Sequence, residues 1–140
     1  MKQSEMNDWV GGSDPELVGD SCYNILNRYI SIGGNSKLLD FGCGIGRVLL
    51  SILKQHPALP KITGFDIMPQ VIQFCDDQIA PSFANASFEL IRGSNDHYDG
   101  FIKATNGANA IDSEQMLHKY CENFTGAYAF SVFTHVEMAD

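Results

Sequence analysis

The segment from Leu38 to Arg47 reads LLDFGCGIGR, and it decides the fold. Its first residues form a short apolar run that ends in glycines, which is typical of a buried parallel strand. Gly42, Gly44 and Gly46 remove side chains where the backbone turns tightly, so a ligand can lie directly against peptide groups. The helix that begins there offers free N–H groups and the positive end of its dipole. The segment therefore predicts a strand, a ligand-binding turn and a helix.

Strands and helices alternate along the chain. Helices are predicted over four stretches: from Asp14-Pro15 to Gly33-Gly34, from Gly46 to before Pro57, from Pro69 to Pro81, and after a capping box of Asp112 and Gln115. Strands are predicted at Lys37–Phe41, at Ile62–Phe65 with Asp66 at its end, at Ser87–Ile91 and at Ala127–Val132. This alternation predicts an α/β fold with a parallel sheet of about four strands and flanking helices.

Apolar residues at helical spacing predict the faces that the first three helices bury. The first face comprises Leu17, Val18, Cys22, Ile25, Leu26 and Tyr29. The second comprises Val48, Leu49, Ile52 and Leu53, and the third Val71, Ile72, Cys75 and Ile79. His56 and His118 are expected to face solvent on their helices.

The composition bounds the class of protein. The 140 residues, 44% of them apolar, suffice for one domain with a real core. We expect an N-terminal segment and helix over 1–34 and the ligand-binding domain over 35–140. A net charge of −8 disfavours a nucleic-acid partner. No stretch has the length of a membrane span and no secretory signal is recognisable, so a cytoplasmic protein with free thiols and no membrane partner is expected.

The residues around the glycines narrow the kind of ligand. Asp40, immediately before the turn, suits a ligand with a cationic amino group and would repel a pyrophosphate. A dinucleotide site needs G-x-G-x-x-G, but Arg47 occupies the position of the last glycine. A P-loop is excluded because no Gly-Lys-Ser/Thr follows. Cys43 is interpreted as a small residue that fills space, since its surroundings do not mark a nucleophile.

Polar residues also follow the second and third strands. Asp66 can accept two hydrogen bonds from a ribose diol, or it can be an acid that favours a helix dipole. Ile67 beside it, with Met68, is placed to flank an adenine face. Ser94 and Asn95 either hydrogen-bond an adenine edge or serve ordinary turn chemistry.

These motifs resemble the class I S-adenosylmethionine-dependent methyltransferases. LLDFGCGIGR looks like their glycine-rich first motif, ITGFDIMP like their second strand with its ribose-binding acid, and FSVFTH (Phe130–His135) like a fourth-strand motif. The resemblance implies a Rossmann-like methyltransferase sheet, S-adenosylmethionine as cofactor and no metal. The implied cofactor-binding residues are Asp40, Phe41, Gly42, Cys43, Gly44, Gly46, Asp66, Ile67, Ser94 and Asn95.

The same resemblance implies the reaction and its limits. Methyl transfer to an acceptor, expected to be a small molecule, is an in-line displacement that depends on alignment. Phe130–Phe133 would close the floor beside the sulfonium, and His135 is a weak candidate for a base. The family sheet has seven strands, so an apparently truncated domain is expected, with self-association through the exposed strand Ala127–Val132. The alternatives are a cofactor-binding fragment or inactive remnant and, less favoured, a nucleotide-linked oxidoreductase.

Overall fold

The computed structural model of the chain describes residues 8, 12–92, 110–120 and 123–130. Its helices are α1 (Pro15–Leu26), α2 (Arg47–Gln55), α3 (Pro69–Gln78) and α4 (Ser113–Tyr120), with a 3₁₀ turn at Ala80–Ser82. Its strands are β1 (Lys37–Phe41), β2 (Lys61–Asp66), β3 (Ala86–Leu90) and β4 (Gly126–Tyr128). Among the described residues, no helix is long and apolar enough to cross a membrane.

The strands form one parallel sheet in the order β3-β2-β1-β4. Strand β1 pairs with β2 over its whole length, from Lys37 opposite Lys61 to Phe41 opposite Phe65. The short strand β4 pairs with the other edge of β1 and lies at the edge of the described sheet. The predicted α/β fold, a Rossmann-like sheet of four parallel strands with flanking helices, is confirmed.

The strand bounds differ from the predicted ones by small amounts. Strand β1 agrees residue for residue, and β2 extends the predicted strand by one residue at each end. Strand β3 lies one residue earlier than predicted. Strand β4 runs from Gly126 to Tyr128, so it begins one residue earlier than predicted, and the prediction is wrong at Ala129 and Phe130. Positions 131 and 132 of the predicted strand lie outside the described residues.

Helix α1 begins as predicted and buries only part of the predicted face: Leu26 is buried, and Val18 and Cys22 are partly buried. The Asp14 carboxylate accepts the N–H groups of Glu16 and Leu17 at 3.0 and 2.9 Å, which caps the helix. The helix ends at Leu26, well before Gly33-Gly34. The predicted face is wrong at three positions, whose residues are exposed: Leu17, Ile25 and Tyr29.

A glycine explains how α1 packs instead. A Cβ atom on Gly19 would lie 2.4 Å from the carbonyl oxygen of Arg47, the first residue of α2. The absence of a side chain therefore lets the two helix backbones approach closely, and Gly19 with Leu26 forms the buried part of α1. A periodicity of apolar residues cannot reveal a contact that a glycine makes.

The main core lies between the sheet and helices α1 to α3. The predicted faces of α2 and α3 are confirmed, since every residue named for them is buried. At the end of helix α4, the Tyr120 ring packs against Phe65 of β2 at a centroid distance of 5.0 Å. Its capping box is confirmed: Asp112 accepts the N–H of Gln115 at 2.8 Å, and Gln115 accepts that of Asp112 at 3.0 Å.

Candidate functional site

The turn between β1 and α2 has the backbone conformation that its glycines predict. Gly42, Gly44 and Gly46 have φ angles of 75°, 52° and 77°, in the left-handed region that residues with a Cβ adopt only at a cost. Gly46 is the N-cap of α2, and no side chain within the described residues caps this helix. A helix start without a side-chain cap is a position at which a ligand can accept backbone N–H groups.

Hydrogen bonds hold this turn against β2. The N–H groups of Gly42 and Cys43 both donate to the carbonyl oxygen of Phe65, at 2.8 and 2.9 Å. The Asp66 carboxylate accepts the N–H of Gly44 at 2.9 Å through one oxygen and that of Met68 at 2.9 Å through the other. The glycine turn and the end of β2 are thus one connected unit.

Asp66 fills one of the two roles that the sequence left open. Its bond to Met68, the N-cap of α3, is the bond expected of an acid at a helix start. Burial raises the pKa of Asp66, whereas the N–H groups of Met68, Gly44 and Ile67 lower it. A carboxylate has about four acceptor positions, so these three donors leave capacity for a ligand hydroxyl.

Two thiols pack beneath the turn. Cys43 and Cys75 both direct their Sγ atoms at the carbonyl oxygen of Gly44, at 3.6 and 3.4 Å. A Cβ on Gly64 would lie 2.8 Å from Cys43 Sγ, so this strand glycine makes room for the thiol. The hydrogen bond with Cys75, and then burial, raise the pKa of Cys43 well above its ordinary value. Cys43 is a buried neutral thiol, as its interpretation as a space-filler requires.

The acid before the glycines is buried beside a tyrosine. Asp40 and Tyr128 are 3% and 7% exposed, and the sheet register places them opposite each other on β1 and β4. Neither Asp40 Oδ2 nor Tyr128 Oη completes a hydrogen bond within the described part of the chain. Burial raises the pKa of Asp40 to about 7; the Tyr128 hydroxyl lowers it and the charge of Asp66 raises it. Sequence reasoning missed Tyr128, because the alternation of strands and helices along the chain does not determine which strand pairs with β1.

The structure brings most of the predicted site residues together. The residues that meet at the carboxyl ends of β1 and β2 are Asp40, Phe41, Gly42, Cys43, Gly44, Gly46, Asp66 and Ile67. Ile67 packs on a small cluster in which the neighbouring Met68 is buried. Ser94, Asn95 and His135 lie outside the described residues, as do positions 131 to 133 of the predicted floor. Phe130 is described, and its ring lies 6.0 Å from that of Tyr128.

His56 differs from its prediction. It is the C-cap of α2 and partly buried, and its Nε2 lies 2.9 Å from the hydroxyl of Tyr23 on α1. It therefore joins two helices rather than facing solvent. His118 is exposed as predicted. Within the described ranges, no group of three or more His, Cys, Asp and Glu side chains could hold a metal ion.

A groove elsewhere on the described surface does not coincide with this site. A groove of about 340 Å³ lies between α1, α2 and α3, lined by side chains such as Asp20, Leu50 and Phe74. Neither Asp40 nor Asp66 lines it. We place the candidate site at the strand ends, because parallel sheets bind ligands there and because the unpaired buried groups lie there.

Known proteins are similar to this chain in sequence family and in part of the fold. A family model described as "Methyltransferase domain" matches residues 22–138. The crystal structure of coclaurine N-methyltransferase bound to N-methylheliamine and SAH is similar over 59% of this chain and 24% of that one, with 13% identity and a TM-score of 0.48. The [4+2]-cyclase SpnF is similar over 52% of this chain and 27% of its own, with 21% identity and a TM-score of 0.45.

A third structure is PKMT2 from Rickettsia typhi in complex with AdoHcy, with 27% identity and a TM-score of 0.38 over 42% of this chain and 12% of that one. The match therefore spans less than a third of each of these three proteins. The family match covers most of the chain, including the glycine turn, Asp66 and the four described strands. The chain belongs to this family of methyltransferase domains.

Proposed function

We propose that the chain binds S-adenosylmethionine at the carboxyl ends of β1 and β2 and transfers its methyl group to a small-molecule acceptor. The observation that carries this proposal is the glycine turn between two acids, buried Asp40 and partly buried Asp66. Asp40 precedes the turn and has an oxygen without a partner, and Asp66 follows β2 and is bonded to the turn. Membership of the methyltransferase family supports the choice of cofactor.

The residues of the turn fit the parts of this cofactor. Asp40 would hold the ammonium group at the amino-acid end, and the positive end of the α2 dipole would favour the carboxylate. Asp66 would accept the ribose hydroxyls, and Ile67, Ser94 and Asn95 would lie at the adenine. The cofactor, when bound, supplies a methyl group activated on a sulfonium.

The electrostatics favour this cofactor over a dinucleotide. Two carboxylates flank the turn, and the charge of Asp66 already raises the pKa of Asp40. A further negative group such as a pyrophosphate would increase this repulsion, whereas a sulfonium and an ammonium would reduce it. A nicotinamide-linked oxidoreductase is therefore disfavoured, and a fluorescence titration with the reduced nicotinamide cofactor tests it directly.

Isothermal titration with S-adenosylmethionine and S-adenosylhomocysteine tests the binding step. We expect dissociation constants of roughly 1–100 µM for the folded chain. Asp66→Asn should weaken the binding of both ligands by about tenfold, because an amide accepts hydrogen bonds from the ribose hydroxyls less well than a carboxylate does. Asp77→Asn removes the same charge from an exposed position on α3 and should leave both unchanged. Folded protein that gives no heat with either ligand would contradict the proposal.

Turnover needs a separate experiment, because binding without transfer is the alternative. A panel of small acceptors, incubated with cofactor carrying a labelled methyl group, should yield at least one labelled product. If His135 acts as the base, His135→Ala should lower turnover and leave the cofactor dissociation constant unchanged. Binding with no transfer to any acceptor would support a cofactor-binding module instead.

The edge strand β4 is the basis of a proposal about self-association. Within the described residues, β4 pairs with β1 on one side only, so its other edge presents unpaired backbone groups. We propose that this edge mediates self-association. Light scattering at high micromolar concentration checks it, and a monomer there would contradict it.

A further inference from the structure

Two cysteine side chains meet beneath the glycine turn. Cys43 lies in the turn and Cys75 lies on α3, and they are 7% and 0% exposed. Their Sγ atoms lie 3.6 and 3.4 Å from one carbonyl oxygen, that of Gly44, and the two thiols are hydrogen-bonded to each other. The fold thus brings two sulfur atoms from distant parts of the sequence into contact.

The packing around the two thiols favours this contact. A Cβ atom on Gly64 of β2 would lie 2.8 Å from the Sγ of Cys43, and a Cβ atom on Gly46 would lie 3.6 Å from the Sγ of Cys75. Backbone without side chains therefore borders both sulfur atoms. A close-packed interior leaves the two thiols little room to separate.

We propose that Cys43 and Cys75 form a reversible disulfide, and that this bond weakens cofactor binding by displacing Gly44. The site takes a small two-electron oxidant of the peroxide class and, in the reverse direction, a reducing thiol. Formation of the bond does not depend on a ligand, whereas its effect on affinity rests on the proposed function.

Hydrogen peroxide can carry out the oxidation in two steps. The thiolate of Cys43, the less deeply buried of the two, attacks one peroxide oxygen; the O–O bond breaks, and the departing hydroxide takes up a proton to form water. The thiolate of Cys75 then attacks the sulfur of the sulfenic acid, the S–O bond breaks, and a second water leaves. The two thiols lose two electrons in total and the peroxide gains them. The raised pKa of Cys43 keeps it protonated at neutral pH, so the first step is slow there.

The disulfide would change the glycine turn through Gly44. A sulfur–sulfur bond is about 2 Å long, much shorter than the contact between two unbonded sulfur atoms, so at least one sulfur must shift. The carbonyl oxygen of Gly44 would lose both thiol donors, because disulfide sulfur carries no hydrogen. The N–H of Gly44 donates to the Asp66 carboxylate at 2.9 Å, so a displaced Gly44 also disturbs the proposed acceptor of the ribose hydroxyls.

Peptide mapping without reduction tests the bond itself. Trypsin places each of the four cysteines on its own peptide, with Cys43 in 38–47 and Cys75 in 62–92. After the folded chain is treated with hydrogen peroxide, these two peptides should appear as one linked species that dithiothreitol separates. Cys75→Ser should abolish this species, whereas Cys22→Ser, which removes a partly buried thiol on α1, should retain it. A wild-type map in which Cys43 and Cys75 stay unlinked, or are linked to other cysteines instead, would overturn the proposal.

Titration calorimetry with S-adenosylhomocysteine tests the effect on the site. The peroxide-treated chain should bind about three- to tenfold more weakly than the reduced chain, which is the contribution of about one hydrogen bond. Dithiothreitol should restore the affinity, and because it does not reduce methionine sulfoxide, recovery excludes oxidation of Met68 as the cause. Cys22→Ser should respond to peroxide as the wild type does.

The two measurements separate this inference from the proposed function. Linked peptides together with an unchanged affinity would refute the effect of the disulfide on the site. A reduced chain that binds no cofactor contradicts the proposed function, and the effect on affinity fails with it, while the peptide map still decides whether the disulfide forms. Both comparisons use the wild-type chain before and after reduction, so they decide the matter even if Cys75→Ser does not fold.

Discussion

Replacing Asp40 with asparagine should stabilise the ligand-free chain at alkaline pH more than at acidic pH. In the folded chain, burial raises the pKa of Asp40 from the ordinary value of 3.8 to about 7, and the residue is 3% exposed. Between these two pH values the folded chain holds a proton that the unfolded chain has lost. The free energy of unfolding therefore falls as the pH rises through this window.

The size of the effect follows from the shift. One pKa unit corresponds to about 1.4 kcal/mol, so the ionised carboxylate costs about 4 kcal/mol once the pH exceeds about 7. Below pH 3.8 both states are protonated and the cost is absent. An asparagine has the same shape and no charge, so Asp40→Asn removes the cost. The stability difference between variant and wild type should increase by about 3 kcal/mol from pH 5 to pH 8.

Urea unfolding of wild type and Asp40→Asn at these two pH values measures this difference. Asp77→Asn, on the exposed side of α3, is the control for the loss of one charge and should change stability by less than about 0.5 kcal/mol at either pH. A stability change in Asp40→Asn that is the same at both pH values, or a loss of stability confined to alkaline pH, would refute the reasoning. It would mean that Asp40 is already ionised and paired in the folded chain.

Three further substitutions test the packing around the site. Gly19→Ala should destabilise the chain by about 1–3 kcal/mol in thermal unfolding, since the new Cβ meets the backbone of Arg47, whereas Gly33→Ala meets nothing within 4 Å and should stay within about 0.5 kcal/mol. Gly64→Ala should cost about 1–3 kcal/mol and weaken cofactor binding in a titration, because it displaces the thiol beneath the glycine turn. Asp112→Ala should cost about 1 kcal/mol in urea unfolding by removing the cap of α4, and no loss would contradict the role of that capping box.

The fold could be predicted because its signals are local. The strand β1 is a short apolar run bounded by glycines, and the caps at Asp14 and Asp112 satisfy free N–H groups through side chains a few residues away. The faces of α2 and α3 follow from apolar residues at helical spacing. In each case the residues that signal the structure are also the residues that make the contacts.

The errors arose where a contact depends on a distant partner. Leu17 and Ile25 repeat at helical spacing but are exposed, because the side of α1 that contains Gly19 packs against α2. His56 is predicted to face solvent, but it is partly buried because it forms a hydrogen bond with a tyrosine on α1. Neither pairing is visible until the helices have been placed against each other.

The residues of the candidate site also divide into those that local sequence identifies and those that depend on the strand order. Asp40 and Asp66 were identified from their positions at strand ends, and the structure brings both to the glycine turn. Tyr128 was not identified, since its importance depends on β4 lying next to β1 rather than next to β3. Once the strand order is known, the register alone indicates the pair with Asp40.

The bonds between the glycine turn and β2 have a consequence for local unfolding. A surface turn rich in glycine ordinarily opens by itself, and its amide protons exchange rapidly with water. Here the amides of Gly42 and Cys43 both donate to the carbonyl of Phe65, a fully buried residue near the carboxyl end of β2. Their exchange should require separation of β1 from β2, so these two amides should be protected almost as strongly as the core strands. The region that receives the ligand would then belong to the last cooperative unit to open.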